Sequence, residues 1–145
     1  MSVSHIDRQR AAVVREALSW LRTPYHHHAD VKGAGADCIM LLIRVYHACG
    51  LIPDVDPRPY PHDWHLHRDE ERYLDGVLRY ARPVKQPQPG DVALYRFGRC
   101  ISHGAIVTRW PQVVHAYLGQ GVILSESDQP PLAGRLAGFY SLWGD

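Results

Sequence analysis

The spacing of apolar residues changes near the middle of the chain, and this change constrains the fold more than any other feature of the sequence. Over 7–22, apolar residues recur at the spacing of one helix face. After Pro89-Gly90, the spacing becomes that of β-strands. We predict strands at 91–97, 102–109, 112–118, 121–126 and 136–143. Helices followed by a meander of strands predict an α+β fold.

Three helices are predicted in the first part of the chain, at 7–22, 38–49 and roughly 68–82. Asp37 is a suitable N-cap for the second helix, and Gly50 stands where a glycine commonly ends a helix. This second helix is apolar almost all round, which is typical of a buried helix. The stretch 51–67 carries four Pro, three His and Trp64, and we expect a long irregular connection there.

Length and composition narrow the class of protein. The chain has 145 residues, which suits a single domain over 1–145, and its net charge of +1 gives no support to nucleic-acid binding. Its three Cys, an odd and widely spaced set, predict neither a disulfide framework nor a zinc site. The first ten residues lack the pattern of a secretion signal, and no apolar run is long enough to insert into a membrane. We therefore expect synthesis in the bacterial cytoplasm.

Cys38 is the candidate nucleophile. It falls in the first turn of the predicted second helix, where backbone N–H groups and the helix dipole favour a thiolate and lower its pKa. The alternative is a small buried apolar residue, as most free Cys are. Cys49 and Cys100 fit that alternative better, because one lies at the far end of the helix and the other in a Gly-flanked loop.

A thiol nucleophile needs a base, and His103 is the candidate because it begins a predicted strand. His115 lies in the next strand. If the turn between the strands is centred near Arg109, the two histidines are about opposite each other and share a face of the sheet. One imidazole can then accept the proton of the nucleophile while the other orients it.

Three sequence blocks together resemble the NlpC family of papain-like cell-wall cysteine peptidases. The first is TPY at 23–25 leading to GADC at 35–38, the second is PGDVALYRF at 89–97, and the third is SHGAIV followed by VVHAY, within 102–117. The resemblance implies a papain-like (NlpC-type) fold, with N-terminal helices packed on an antiparallel sheet of about five strands. It implies a cysteine endopeptidase that cuts stem peptides of peptidoglycan, typically beside a D-glutamyl residue, without a cofactor.

The resemblance also implies roles for individual residues. Cys38 matches the nucleophile, His103 the base and His115 the orienting third residue. Tyr25 matches a tyrosine beside the nucleophile, a candidate oxyanion or substrate contact, and Asp37 matches an acidic position that can serve as helix cap, substrate contact or both.

The sequence HAYLGQGV, which begins at the second histidine, most resembles the branch of the family found in prophages and gene transfer agents. This predicts a protein carried by a phage-like tail to the cell wall of the next cell, with tail-tip or baseplate proteins as partners. The aromatic residues of 51–67 and of Phe139–Trp143 are the candidate docking surfaces.

One departure from the family leaves an alternative open. Ile39-Met40 stands where the family usually has Ser-Gly or Leu-Gly after the Cys. The alternative is a catalytically weak or inactive structural module of the tail tip with the same fold.

Two histidine clusters invite a metal hypothesis, His26–His28 and the set His62, His65 and His67. Both fall in predicted loops without a suitably spaced carboxylate or Cys, so we expect no metal site.

Overall fold

A six-stranded antiparallel sheet is the centre of the fold in the computed structural model, which describes residues 4–60 and 72–144. Its strands are β3 (Arg82–Val84), β4 (Val92–Phe97), β5 (Cys100–Arg109), β6 (Gln112–Tyr117), β7 (Gly121–Glu126) and β8 (Leu136–Ser141). They are arranged in the order β3-β8-β4-β5-β6-β7. A separate short hairpin pairs β1 (Asp30–Val31) with β2 (Gly35–Ala36), just before the second helix. The α+β prediction is confirmed, and each of the five predicted strands has an observed counterpart.

Strand β3 was not predicted. It pairs with β8, about sixty residues later, through contacts such as Pro83↔Tyr140. The sequence predicted a helix to about residue 82, whereas the observed helix α3 is Arg72–Leu78; 68–71 lie outside the described residues. Pro83 cannot donate a backbone hydrogen bond, and its strand lies at the edge of the sheet, where proline is tolerated. Only the long-range pairing makes this segment a strand.

Helix α1 (His5–Ser19) begins two residues before the predicted start and ends three residues before the predicted end. The Ser4 side chain caps its N-terminus by accepting a hydrogen bond from the Asp7 N–H. At its other end, the Trp20 N–H bonds to the Ala17 carbonyl, a tighter turn that ends the helix. Among the described residues, no helix is both long enough and apolar enough to cross a membrane.

Helix α2 (Cys38–Ala48) has the caps that the sequence predicts. Asp37 is the N-cap. Gly50 has a φ of 74° and follows the C-cap residue. The Gly50 N–H bonds to the His47 carbonyl and the Leu51 N–H to the Tyr46 carbonyl, the pair of contacts that makes a Schellman motif. Asp37 therefore explains why the helix begins at Cys38, and Gly50 explains why it ends at Ala48.

The helices cover one face of the sheet. The main core lies on that face and includes Val13 of α1, Leu41 and Val45 of α2, and Ile106 of β5. A smaller core lies on the other face, where Leu132 packs with side chains such as Val107. The alternation of side chains along β5 therefore separates residues that face the helices from residues that face away.

A buried ion pair joins the first helix to the start of β4. Arg10, only 3% exposed, contacts Asp91 at 2.8 Å and stacks on the Trp143 ring. Asp91 also accepts a hydrogen bond from the Gln88 N–H, which fixes the turn before β4. Arg10 thereby joins α1 to the start of β4 and to the residues that follow β8.

Candidate active site

Cys38 is the first residue of α2, and its thiol lies against strand β5. Sγ donates to the Ser102 carbonyl oxygen, 3.8 Å away. A hydrogen bond from the Gly104 backbone also acts on the thiol. Ser102 and Gly104 are the two neighbours of His103 in the chain. The nucleophile and base that the sequence predicts are therefore brought to the same point of the sheet by elements far apart in sequence.

His103 and His115 share one face of the sheet, as predicted. His103 Nε2 and His115 Nδ1 are 2.8 Å apart, and the two side chains come from neighbouring strands. The turn between these strands is Trp110-Pro111, because Arg109 pairs with Gln112, and a bulge between Val107 and Arg109 keeps the two histidines on one face. His103 is 7% exposed and His115 is 0% exposed.

Ser125 extends this pair, and sequence reasoning missed it. Its Oγ is 2.7 Å from His115 Nε2, so both nitrogens of the His115 ring are engaged. On strand β7, Ile123 is the residue opposite His115, and Ser125 lies two residues further along on the same face. The period of the strand could have suggested this contact, but only the register shows it.

The thiol and the His103 ring are not hydrogen-bonded to each other in residues 4–60 and 72–144; the thiol bonds to Ser102 and the His103 Nε2 to His115. His103 Nδ1 is the ring nitrogen that this arrangement leaves for the nucleophile. In this structure the candidate nucleophile contacts the backbone of β5 and not the His103 imidazole.

The environment of Cys38 opposes a free thiolate. Burial raises the pKa of the Cys38 thiol to about 12, and the nearby Asp37 adds to the increase. The nearby Tyr73 hydroxyl and the backbone of Cys38 and Gly104 lower it in part. The predicted lowering by the helix N-terminus is therefore wrong for this state, because the cost of burying a charge is larger.

Burial also keeps the two imidazoles neutral. It lowers the pKa of His103 well below the ordinary 6.5, with His115 as a second cause, and it lowers the pKa of His115 to about 4. Burial therefore keeps the Cys38 thiol and both imidazoles neutral in this structure.

Asp37 is fully occupied by hydrogen bonds. One carboxylate oxygen accepts from the backbone N–H groups of Ile39 and Met40, which is the predicted cap. The other accepts from the His28 N–H and the Tyr60 hydroxyl. Asp37 is 1% exposed, so a substrate group that binds it has to replace one of these donors.

Three tyrosines surround the nucleophile, and the sequence identified only one of them. Burial, followed by the nearby Cys38 and Asp37, raises the pKa of Tyr25, which is consistent with a place beside the nucleophile. Tyr73 of α3 donates to the Cys38 carbonyl oxygen at 3.1 Å. Tyr60 reaches the site from the proline-rich connection. The last two were assigned to a helix face and to a loop, because nothing local shows that their hydroxyls meet α2.

The histidine cluster next to this site is packed around Tyr60. The His27 and His28 rings stack with their centroids 3.8 Å apart, and an Nε2 of each lies within hydrogen-bond distance of the Tyr60 carbonyl oxygen. No group of three His, Cys, Asp or Glu placed to hold a metal ion occurs in the described part of the chain. His62, His65 and His67 lie outside the described residues.

The segments suggested for docking use their aromatic residues internally. Tyr60 bonds to Asp37, Trp143 is 6% exposed, and Phe139 packs against Trp110 with ring centroids 4.7 Å apart. Trp64 lies outside the described residues. Trp143 is buried, whereas Tyr60 and Phe139 are half-buried, and docking through these segments stays a prediction.

The unusual Ile39-Met40 pair lies in apolar surroundings. Met40 is fully buried in the core. Ile39 lines an apolar cavity of about 220 Å³ between α2, α3 and the connection 51–60, and Tyr60 and Tyr73 line the same cavity.

Comparison with known proteins shows the fold. No family model and no curated protein matches this sequence. Among solved structures, the chain is similar to an NLP/P60 family lipoprotein-like protein from Staphylococcus aureus, with 17% identity and a TM-score of 0.68, over 100% of this chain and 44% of that one.

Two further structures carry the name peptidoglycan hydrolase. The NlpC/p60 domain of SagA has 21% identity and a TM-score of 0.59, over 90% of this chain and 96% of the domain. RipB from Mycobacterium tuberculosis has 17% identity and a TM-score of 0.61, over 96% of this chain and 67% of that one. These likenesses confirm the NlpC/P60 fold that the sequence blocks predict.

Proposed function

We propose that this chain is a cysteine peptidase that hydrolyses stem peptides of peptidoglycan. The observation that carries the proposal is the placement of the Cys38 thiol against the strand that bears His103, which in turn contacts His115. The Cys38 thiol lies on the backbone on either side of His103, and His103 is held by His115 at 2.8 Å. A helix-start thiol, a base and an orienting group together form the arrangement of a thiol hydrolase.

Catalysis starts from the neutral resting site. When substrate displaces the thiol from the Ser102 carbonyl, His103 Nδ1 takes the Sγ proton as Sγ forms a bond to the amide carbon. The Cys38 N–H, in the first turn of α2, has no partner within the helix and can donate to the resulting oxyanion.

The later steps return the site to its resting state. His103 passes its proton to the leaving amine, which breaks the C–N bond and leaves a thioester on Cys38. Water then attacks the thioester while His103 takes a proton from it. The proton returns to Sγ as the carboxylic product leaves. His115 stays neutral throughout and holds the His103 ring in place.

Two observations support peptidoglycan as the substrate. The blocks around Cys38, His103 and His115 resemble those of cell-wall peptidases. Two structures similar to this chain are named as peptidoglycan hydrolases. The resemblance points to cleavage beside a D-glutamyl residue.

We also propose that a phage-like tail or gene transfer agent carries the protein to the periplasm, in contact with tail-tip proteins. The support is the amino-acid sequence of the segment that contains His115, which resembles the tail-associated branch of the family. Purified particles should contain this chain. Its recovery only from the free lysate would exclude this route.

Digestion of purified muropeptides with fragments identified by mass tests the activity. The protein should release stem-peptide fragments, Cys38→Ala should release none, and Cys49→Ala, which alters the far end of α2, should act as the wild type does. A folded wild-type protein that cleaves no muropeptide would favour the alternative of a structural tail-tip module. That alternative has one observation in its favour, the high pKa of the Cys38 thiol.

A further inference from the structure

The contact between His115 and Ser125 has a consequence for the proton on His103. Three side chains form a continuous series of hydrogen bonds, with 2.8 Å between His103 Nε2 and His115 Nδ1 and 2.7 Å between His115 Nε2 and Ser125 Oγ. His115, in the middle, is 0% exposed. The position of one proton in this series therefore sets the positions of the others.

Each neutral imidazole carries its proton on one nitrogen only. If His103 is to accept a proton at Nδ1, its own proton must be on Nε2, where it is donated to His115 Nδ1. The His115 proton must then be on Nε2, and it needs an acceptor. Ser125 Oγ is the acceptor that the structure provides.

The opposite arrangement is inactive. With its proton on Nδ1, His115 would donate to His103 Nε2, and the His103 proton would move to Nδ1. The nitrogen that has to accept the Cys38 proton would then already carry one. Without the serine, the population of this inactive arrangement would increase, because a buried N–H with no acceptor costs more free energy than a nitrogen lone pair with no donor.

We propose that Ser125 is a positioning residue whose hydroxyl accepts the His115 Nε2 proton and thereby stabilises the base form of His103. Its role in turnover depends on the proposed function, since His103 acts as a base only if the chain is a thiol hydrolase. Its effect on the tautomers does not depend on that function.

The chain contains a matched control for this role. Ser127 lies two residues beyond Ser125, and its hydroxyl is 2.7 Å from the hydroxyl of Tyr95. Ser127→Ala therefore removes a serine hydrogen bond of similar length in which neither histidine is donor or acceptor, although Tyr95 lies opposite His103. Ser125→Thr is the conservative variant, because threonine keeps the hydroxyl and suits a strand.

The kinetic test measures kcat and KM for muropeptide cleavage by the wild type, Ser125→Ala, Ser125→Thr and Ser127→Ala. Ser125→Ala should lower kcat about tenfold with KM unchanged, a part of the 10²–10⁴-fold effect of a general base. Ser125→Thr should restore kcat to within about twofold, and Ser127→Ala should leave it unchanged. An unchanged kcat in Ser125→Ala, or an equal loss in Ser127→Ala, would overturn the proposal.

The second test uses histidine labelled with ¹⁵N, for which NMR reports the protonated nitrogen of each ring in the resting protein. The wild type and Ser125→Thr should carry the His115 proton on Nε2, and Ser125→Ala should carry it largely on Nδ1. The same tautomer in wild type and Ser125→Ala would refute the assignment. If no variant cleaves muropeptides, the proposed function fails, and this spectrum alone decides the role of Ser125.

Discussion

Acidification from pH 8 to pH 5 should destabilise the folded protein through its two buried histidines. Burial lowers the pKa of His115 from 6.5 to about 4. At pH 8 the residue is neutral in both the folded and the unfolded chain. Below pH 6.5 the unfolded chain binds a proton that the folded chain cannot bind until about pH 4, so the free energy of unfolding falls across this window.

The size of the effect follows from the two pKa values. At pH 5, protonation of His115 in the unfolded chain alone should lower the free energy of unfolding by ~2 kcal/mol, and the full loss by pH 4 and below approaches ~3 kcal/mol. Burial lowers the pKa of His103 as well, and this adds a loss of the same sign. A loss of this size is a large fraction of the stability of an ordinary domain.

Urea denaturation followed by tryptophan fluorescence at pH 8 and pH 5 measures the effect, with His115→Gln as the comparison. The variant is expected to be less stable at both pH values, because it loses contacts to His103 and Ser125. Only the change between the two pH values is informative. It should be smaller in the variant by ~2 kcal/mol. Equal changes in the two proteins would show that His115 is not held neutral by burial.

Two further predictions concern the surroundings of the nucleophile. Gly104→Ala should reduce both stability and cleavage, because the added Cβ would lie 2.6 Å from the Tyr73 hydroxyl and 2.9 Å from a Leu42 methyl group. Thermal melting and muropeptide digestion measure the two effects. A variant with the melting temperature of the wild type would contradict this prediction. Asp37→Ala should lower the free energy of unfolding by ~3 kcal/mol, since it removes a helix cap and leaves buried donors without an acceptor. Tyr60→Phe, which removes one donor only, should cost ~1 kcal/mol. Equal losses in these two variants, measured by urea denaturation, would refute the role assigned to Asp37.

The start of α2 shows how far local sequence reaches. Asp37 and Gly50 cap the helix through contacts with residues no more than four positions away, so the sequence alone places Cys38 in the first turn. The shared face of His103 and His115 was predicted from a turn centred near Arg109, but with the observed turn at Trp110-Pro111 it depends on a bulge between Val107 and Arg109. These features depend on backbone geometry over a few residues.

The rest of the site depends on contacts between distant segments. Tyr60 and Tyr73 reach the nucleophile from two other elements, and Ser125 meets His115 only because β7 pairs with β6 in one particular register. A pattern of apolar residues predicts which face is buried, but it does not specify which polar side chains from distant segments will contact each other.

The ionisation of Cys38 was decided by the tertiary structure, and against the local prediction. A helix N-terminus favours a thiolate, and that much was visible from the position of Cys38 after Asp37. Burial of the thiol against β5 costs more than the helix end contributes, so its pKa rises. The sequence by itself determined where the nucleophile and the two histidines stand on their own elements. Packing decided that the thiol lies against the strand of His103 and that all three groups are uncharged, because desolvation depends on everything that surrounds a group and not on its neighbours in the chain.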